Sequence, residues 1–589
     1  MCLEIKEILK SRLVAATTDG WTENHTKSKL IAVTIHFISD KWKIQFRLLL
    51  AVPLPFEEGP TTAEKLRAAL DAALQKFELD ATKLSWVTDN GSDIVKALNG
   101  TSRFYCANHA INIIVRTTLS VKYAELIQRC IKSSALAQLI VDDCTAWVIE
   151  VRQKIPSKFA SANDLTLALT NPQSQSHIKM LRSVRDAFPR VKDYLKNDCP
   201  ELMVTTEDIT DLIRFLGPFD LDGSREKSAS VTPSRIPALL HHCALDPDDS
   251  GMMISLKDTA RDECTILRAL EAIEGCKQVV GYFNKSGLKP WLKQEGCRTT
   301  KQEICTRWNS QLEMLESVND AWDKIKGLLT SKGKKGNEVL KAFNEIDKTD
   351  VEDLISFLEP FEIHTKELEG HLHPTIQKCV PSKYALLLHC EPDDDDTALM
   401  SAIRKKALDL VEDKMQIQAE QKLAYFLWPS MNGLDALPEE ERNQVHADMR
   451  RRALGEDDLR DLDENQDVPQ PPPAKKARVD PYAALRTKKK PVAVKDEVTK
   501  YLAMDPEEIG DDSDLLKWWQ TKGTVLFPKM AKVAMDILAI PASSAPCETI
   551  WSDAGRIDTD DRSSMSMDTL QDHLVLRHHL RSKRLAKET

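Results

Sequence analysis

An alternation of apolar and polar side chains between residues 42 and 52 is the feature that most constrains how this chain can fold. Lys43, Gln45 and Arg47 stand between apolar residues that recur at every second position. A period of two is typical of a half-buried β-strand, because successive side chains point to opposite faces of a sheet. Apolar and β-branched runs predict further strands at residues 13–18, 30–38 and 84–88.

One helix is predicted between the third and the fourth of these strands. Leu66, Leu70 and Leu74 fall on one helical face, and Thr61 with Glu64 forms a capping box in front of them. Three strands, a crossover helix and a fourth strand occur together in several α/β folds. The pattern alone therefore does not choose among those folds.

The first and the fourth predicted strands each end in an acid. Asp19 stands in Thr-Thr-Asp-Gly-Trp, and Asp89 stands in Thr-Asp-Asn-Gly-Ser. For a single Asp beside a glycine, capping a turn is the more common role. Two carboxylates that neighbouring strands bring together are natural ligands for Mg²⁺. Both interpretations remain open from the residues alone.

Residues 126–455 are rich in helix-forming residues and poor in glycine, which predicts a large all-α segment. Three sequence blocks recur within it in the same order. Residues 180–187 resemble 314–321, residues 211–219 resemble 353–361, and residues 233–243 resemble 381–390. We interpret the recurrence as a partial internal duplication, about 178–262 and 312–412, that adds no function of its own.

Residues 456–498 pass from an acidic run through a proline-rich run to two basic clusters, which is typical of a disordered linker. The basic clusters resemble nuclear-import signals, with solvated linker charge as the common alternative. They predict that the protein is located in the nucleus. The residues concerned are Lys475, Lys476, Arg478, Lys488, Lys489 and Lys490.

The overall composition is that of an ordinary globular protein. The net charge is −10, which does not indicate a surface coated in basic residues. No signal peptide and no membrane-spanning apolar run is found, so an intracellular protein without a membrane partner is expected. Cys106 and His109 have the spacing of half a zinc site, but no second pair follows, so zinc is not predicted. The 13 cysteines contain no CxxC pair, which argues against a disulfide framework.

Motifs in five parts of the chain resemble, in their order, the sequence blocks of hAT-superfamily transposases. They are the two acid motifs above, Cys-Ala-Asn-His-Ala-Ile-Asn (106–112), Thr-Arg-Trp-Asn-Ser (306–310) and the C-terminal segment from Trp-Trp to Cys-Glu-Thr-Ile-Trp-Ser (518–552). The resemblance implies an α/β RNase-H-like core, a mixed sheet with flanking helices. Residues 1–125 would form its first part, residues 126–455 an all-α insertion, and residues 499–589 a dimerisation segment that completes the core.

By this resemblance, Asp19, Asp89 and Glu548 are the catalytic acids and the metal ligands. The three carboxylates would hold Mg²⁺ or Mn²⁺ for an in-line displacement at a phosphodiester, and no small-molecule cofactor is expected. The family excises a DNA element and joins its ends to a target. The chain is therefore a candidate DNA strand transferase or nuclease.

The resemblance also implies residues that contact DNA. Trp308 matches a tryptophan that stacks on a flipped base, and a tryptophan buried in a helical core is an equally good interpretation. Arg307, beside it in the same motif, and His109, which could contact a phosphate, complete the predicted DNA-binding set.

The C-terminal segment is predicted to join two subunits. Its apolar residues have the spacing of a helical core stripe, and only the resemblance favours an interface over a core. The implied partner is a second copy of the chain, in a homodimer or a higher homo-oligomer. The predicted dimerisation residues are Trp518, Trp519, Phe527, Ile537 and Leu538.

Two departures from the family pattern bear on activity. No BED-type zinc finger precedes the first acid motif, and the family's Ser-Glu-Arg around the third acid reads Cys-Glu-Thr at residues 547–549. We therefore expect a nuclear, hAT-derived protein that dimerises, associates with DNA and no longer transposes autonomously. An active Mg²⁺-dependent transposase and a non-catalytic transcription or chromatin regulator are the two alternatives.

Overall fold

In a computed structural model, the described part of the chain is mostly helical and contains one mixed sheet of five strands. The described residues are 14–22, 29–53, 62–120, 129–154, 180–182, 184–185, 206–216, 243, 249–303, 308–370, 372–464, 496–557 and 565–588. None of the described helices is both long enough and apolar enough to cross a membrane.

The chain falls into two compact units. The sheet unit comprises residues 1–113, 361–388 and 411–589, and the helical unit comprises residues 114–360 and 389–410. These units divide the chain at other positions than the domain boundaries predicted at 125, 455 and 498, which stay predictions.

Strands and helices are numbered here along the chain. The strands are β1 (Ala15–Thr22), β2 (Lys29–Ile38), β3 (Ile44–Pro53), β4 (Ser85–Thr88) and β5 (Ser102–Tyr105). The helices are α1 (Ala63–Gln75), α2 (Ser92–Ala97), α3 (Ala107–Thr118), α4 (Ala135–Lys154), α5 (Thr206–Leu216), α6 (Gly251–Lys285), α7 (Lys289–Gln294), α8 (Asn309–Asp320), α9 (Trp322–Thr330), α10 (Gly333–Asn344), α11 (Lys348–Leu368), α12 (Cys379–Cys390), α13 (Ala398–Lys414), α14 (Ala419–Phe426), α15 (Glu439–Glu464), α16 (Glu497–Leu502), α17 (Pro506–Ile509), α18 (Leu515–Trp518), α19 (Thr524–Leu526), α20 (Pro528–Ile537), α21 (Ala545–Ile557) and α22 (Met567–Glu588).

The strands lie in the order β3-β2-β1-β4-β5. β1, β2 and β3 form an antiparallel meander, and β4 and β5 extend it in parallel with β1. The chain passes through α1 on its way from the edge strand β3 to β4 on the far side of β1. The four predicted strands and the predicted helix are confirmed. The sequence pattern does not predict β5, because Ser102–Tyr105 contains no apolar or β-branched run of the kind that predicts β4.

Two strand boundaries differ from the prediction. β1 continues through Asp19 to Thr22, because its whole length pairs with β2. Asp19 therefore lies inside the strand and not at its end. Trp42 lies in the turn before β3 with a φ of 56°, and the strand itself begins at Ile44.

α1 covers one face of the sheet. Its N-cap is Thr62, whose Oγ1 accepts the N–H of Lys65 at 3.3 Å. The cap predicted from the sequence, Thr61, lies outside the described residues. The three leucines predicted for the apolar face of this helix are buried against alternate residues of β1, β2 and β3.

α21 and α22 cover the opposite face. Cys547, Ile550 and Trp551 of α21 are buried against Leu30 and Ala32 of β2. Ile31, which lies between Leu30 and Ala32 on β2, belongs to the α1 face, as the period of two requires. α22 packs against β3.

The remaining C-terminal helices form a third core with the sheet, in which side chains of α14, α15, α16, α18 and α20 are buried. Pro528 occupies the first turn of α20, where its fixed φ and missing N–H suit a helix. The predicted linker, 456–498, begins inside α15, which continues to Glu464. Leu459, Arg460 and Leu462 in its acidic run favour a helix. Residues 465–495 lie outside the described ranges.

The regular elements described in the helical unit are all helices. Two of these helices begin with an equivalent ion pair between a basic residue and an aspartate, one in each copy of the predicted repeat. Lys257 and Asp249 are 2.7 Å apart at α6, and Arg404 and Asp396 are 3.6 Å apart at α13. The basic residue and the aspartate both recur after 147 residues, since 404 − 257 = 147 and 396 − 249 = 147. The two copies thus share this local structure.

Candidate active site

Asp19 and Asp89 come from neighbouring parallel strands. Thr17 of β1 pairs with Val87 of β4, at a sequence offset of 70 residues. The two acids have the same offset, since 89 − 19 = 70. Adjacent strands are about 4.8 Å apart, so acids in register on them are neighbours. One acid lies within β1, and the other directly follows β4.

Glu548 comes from a helix that packs against the same part of the sheet. It lies in the first turn of α21, which contacts β1 and β2. The negative charges of Glu548 and Asp89 both act on the pKa of Asp19. The three acids predicted from the sequence are therefore close enough to interact electrostatically.

The pKa of the Asp19 carboxyl is raised from 3.8 to about 7. Burial is the largest cause, because desolvation disfavours the charged form. The N–H of Gly20 donates to Asp19 Oδ1 at 2.8 Å and lowers the pKa, whereas the charges of Asp89 and Glu548 raise it. The pKa of Asp19 is thus lowered by a backbone hydrogen bond and not by a neighbouring cation.

The three carboxylates suit a divalent cation by their chemistry, but they do not form a preformed cluster of ligands. Carboxylate oxygens are the ligands that Mg²⁺ prefers. Across the described ranges, no group of three or more His, Cys, Asp or Glu side chains is arranged to hold a metal ion. A cation between the acids would offset the repulsion that raises the pKa of Asp19.

Arg103 holds the loop that carries Asp89. Its Nη1 donates to Thr88 Oγ1 at 3.2 Å, to the backbone oxygen of Asp89 at 3.2 Å and to Asn90 Oδ1 at 3.3 Å. Asp89 Oδ1 in turn accepts the N–H of Gly91 at 3.3 Å. The sequence analysis missed Arg103, because only the parallel pairing of β5 with β4 brings it beside this loop.

Cys106 has a structural role at the start of α3. Its buried Sγ accepts the N–H of His109 at 3.4 Å and the N–H of Ser544 at 3.3 Å. Burial raises the pKa of this thiol, and the charge of Glu548 also raises it. The start of α3, which carries the half-buried His109, therefore lies near the acids.

Trp308 lies in the helical unit, immediately before α8, and its side chain is only 6% exposed. In this conformation it is a core residue, and stacking on a base stays a prediction. Several predicted residues lie outside the described ranges, namely Arg307, Lys475, Lys476, Arg478, Lys488, Lys489 and Lys490.

The residues predicted for dimerisation are buried in the core of the sheet unit of a single chain. Trp519 Nε1 donates to the backbone oxygen of Leu427, and Trp518 Nε1 donates to that of Ile509, each at 2.9 Å. The same core contains Phe527, Ile537 and Leu538. These side chains stabilise the fold of one chain, and a role between subunits stays a prediction for them.

Other apolar residues of the C-terminal region face solvent. Val525 is 76% exposed and Leu526 is 50% exposed, both in α19, and Leu576 and Leu580 of α22 are also exposed. Large exposed apolar side chains gain free energy when another surface covers them. The sequence gives no signal for Val525 and Leu526, because the Trp-Trp and Phe-Pro motifs on either side of α19 belong to the buried core.

The comparisons with known proteins agree on one superfamily. Residues 497–580 match the hAT family C-terminal dimerisation region. The chain is 26% identical over 131 residues to the Transposable element Hobo transposase of Drosophila melanogaster, which is 22% of this chain and 20% of that protein. It is 30% identical over 142 residues to the Putative AC transposase of Zea mays, which is 20% of this chain and 17% of that protein. The chain thus matches about a fifth of the length of these relatives.

Proposed function

Because this chain is a hAT-family transposase-like protein, we propose that it is a DNA-associated homodimer of the nucleus that acts on phosphodiester bonds at Asp19, Asp89 and Glu548. One observation carries the proposal: Asp19 lies where burial, and to a smaller extent the charges of Asp89 and Glu548, raise its pKa to about 7. Perturbed carboxyls without a charge partner are typical of functional sites, because they cost the fold stability.

The strand arrangement supports an RNase-H-like core. An antiparallel three-stranded meander, continued by two parallel strands in the order β3-β2-β1-β4-β5, is the sheet that such a core requires. It brings the first and the fourth strands next to each other, and these strands carry the two aspartates.

The side chains of the site have distinct tasks in the proposed reaction. When bound, Mg²⁺ or Mn²⁺ supplies Lewis-acid activation of a water or a 3′-hydroxyl and stabilises the leaving oxygen. Asp19 must lose its proton to serve as a ligand, so cation binding weakens as the pH falls below about 7. Arg103 holds the loop of Asp89, and α21 presents Glu548.

DNA would approach the sheet unit near the start of α3, where His109 is proposed to contact a phosphate. Trp308 would have to leave its buried position in the helical unit to stack on a flipped base. The arginine of the family's Ser-Glu-Arg is replaced by Thr549. Because a phosphate-binding group is lost there, the proposal covers phosphodiester chemistry and not autonomous transposition.

A nicking assay with Mn²⁺ on supercoiled DNA tests the catalytic part. We expect nicking by the parent chain that increases between pH 6 and pH 8, and a fall to background for Asp89→Asn. Asp93→Asn is the matched control, since Asp93 is an exposed acid of the neighbouring α2. Equal nicking by the parent and Asp89→Asn would contradict the proposal and favour the non-catalytic regulator.

Dimerisation is proposed to use Val525 and Leu526, because they are the most exposed apolar pair of the matched region. Light scattering should show a dimer for the parent chain and a monomer for the double variant Val525→Asp, Leu526→Asp. Leu388→Asp is the control, because Leu388 is 49% exposed and lies outside the matched region. A parent monomer would contradict dimerisation itself, and a dimeric double variant would contradict only this location.

A further inference from the structure

Four polar side chains form a hydrogen-bonded chain between β1, β2 and α21, which we name the polar bridge. Cys547 Sγ is 3.1 Å from Thr17 Oγ1, and Thr17 Oγ1 is 2.5 Å from Thr34 Oγ1. Thr34 Oγ1 is in turn 2.8 Å from His36 Nε2. All four residues are buried.

The polar bridge lies in an interface that is otherwise apolar. Ile550, Trp551 and Ala554 of α21 pack there against Leu30 and Ala32 of β2. Burying hydroxyl and imidazole groups costs free energy unless they are paired, whereas apolar side chains would fill the same space without that cost. A hydrogen bond has a defined direction and distance, so the bridge selects one rotation of α21 that apolar packing alone leaves open.

The polar bridge is adjacent in sequence to two of the acids. Thr17 and Asp19 are two residues apart on β1, so their side chains are on the same face of the strand. Cys547 immediately precedes Glu548. A helix turns by about 100° per residue, so a shift of one residue in α21 would swing Glu548 away from Asp19.

We propose that Cys547 is a positioning residue, whose hydrogen bond to Thr17, braced by Thr34 and His36, sets the rotation of α21 and places Glu548 beside Asp19. The inference rests on the proposed function in taking Asp19 and Glu548 as reacting acids. It also accounts for the cysteine in a place where the hAT resemblance leads one to expect serine, since both side chains can bond to Thr17. The thiol is not a nucleophile, because burial raises its pKa and keeps it protonated.

Thermal unfolding at a single pH of 8 tests this placement without an activity assay. Glu548 acts electrostatically on Asp19, and like charges close together destabilise the fold. Glu548→Gln should therefore raise the Tm of the parent chain. In a Cys547→Ala background this gain should be lost, and in a Cys547→Ser background it should be retained.

A purely structural role for Cys547 would lower the Tm of Cys547→Ala and leave the gain from Glu548→Gln unchanged, which would overturn the proposal. Absence of the gain in the parent chain would also overturn it, because Glu548 would then not face Asp19. Should Cys547→Ala fail to fold, Thr17→Val removes the same hydrogen bond and carries the same expectation.

The outcome for the polar bridge is separable from that for the proposed function. If the parent chain neither binds Mn²⁺ in a calorimetric titration nor nicks DNA, the proposed function fails, and the unfolding experiment still decides the role of Cys547. If nicking is present and the gain survives in Cys547→Ala, only the positioning role fails.

Discussion

Two carboxylates are embedded in this molecule in opposite ways, one in each unit. Glu263 of the helical unit is 2% exposed and lies 2.9 Å from Arg129 Nε and 2.8 Å from Lys406 Nζ. Lys406 Nζ also donates to the backbone oxygen of Ser120 at 2.8 Å. Asp19 of the sheet unit is largely buried as well, but other acids, and no cations, act on its pKa.

The contrast separates a charge that the fold satisfies from one that it leaves without a cation. An acid held between two cations is satisfied within the fold, and removing it leaves buried charges unpaired. An acid beside other acids weakens the fold until a proton or a cation arrives. Burial alone therefore does not identify a site; the sign of the neighbouring charges does.

Removing the carboxylate of Glu263 should change the free energy of unfolding most. Glu263→Ala removes the carboxylate that lies 2.8 Å from the buried Lys406 Nζ, and we expect a loss of about 3–5 kcal/mol in the free energy of unfolding. Denaturant unfolding followed by circular dichroism measures it. Asp262→Ala is the control on the same helix, because its pair with Lys405 at 3.3 Å is far more exposed and contributes about 0–1 kcal/mol. Equal losses for the two variants would remove the distinction drawn here.

Removing the charge of Asp19 should change the free energy of unfolding less, and in the opposite direction. The folded-state pKa of Asp19 is about 7, above its ordinary 3.8. The folded state therefore holds the proton more tightly, and stability falls as the pH rises from about 4 to 7. A pKa rise of this size corresponds to at most ~4 kcal/mol, and partial solvent exposure reduces it, so Asp19→Asn should stabilise the protein by about 1–3 kcal/mol at pH 8. Below pH 4 the variant and the parent chain should be equally stable.

Addition of Mn²⁺ should stabilise the parent chain and not the Asp19→Asn variant. A cation that binds only the folded state at ten times its Kd adds about 1.4 kcal/mol of stability. We expect this gain for the parent chain at pH 8, a smaller gain at pH 6, and none for Asp19→Asn. A destabilised Asp19→Asn at pH 8 would show that the carboxylate has a partner after all.

Local patterns were sufficient for much of the sheet unit. The period of two from residue 42 to residue 52 predicts β3, and the leucines of α1 predict a helix with the correct buried face. Motif resemblance predicts the three acids, which the structure brings together. Arg103 could not be predicted, because its acceptors lie up to 15 residues away and meet it only through the pairing of β4 with β5.

The C-terminal region shows where a local pattern stops being informative. Its apolar stripe predicts helices with one buried face, but not the surface that covers that face. In the structure, Trp519 is buried within its own chain, whereas Val525 is 76% exposed. A periodic apolar pattern indicates that one helix face is buried, but only the folded chain determines which surface buries it.

The sequence by itself determined the order of the first four strands and of α1 between the third and the fourth, and motif resemblance predicted the three acids, because periodicity and motifs depend on neighbouring residues. The tertiary structure alone decided their chemistry. Asp19 has a pKa of about 7 because folding buries it and brings Glu548, 529 positions later (548 − 19), beside it. The polar bridge likewise joins Thr17 to Cys547. Desolvation and charge–charge repulsion depend on distance in space, and that distance exists only once the chain has folded.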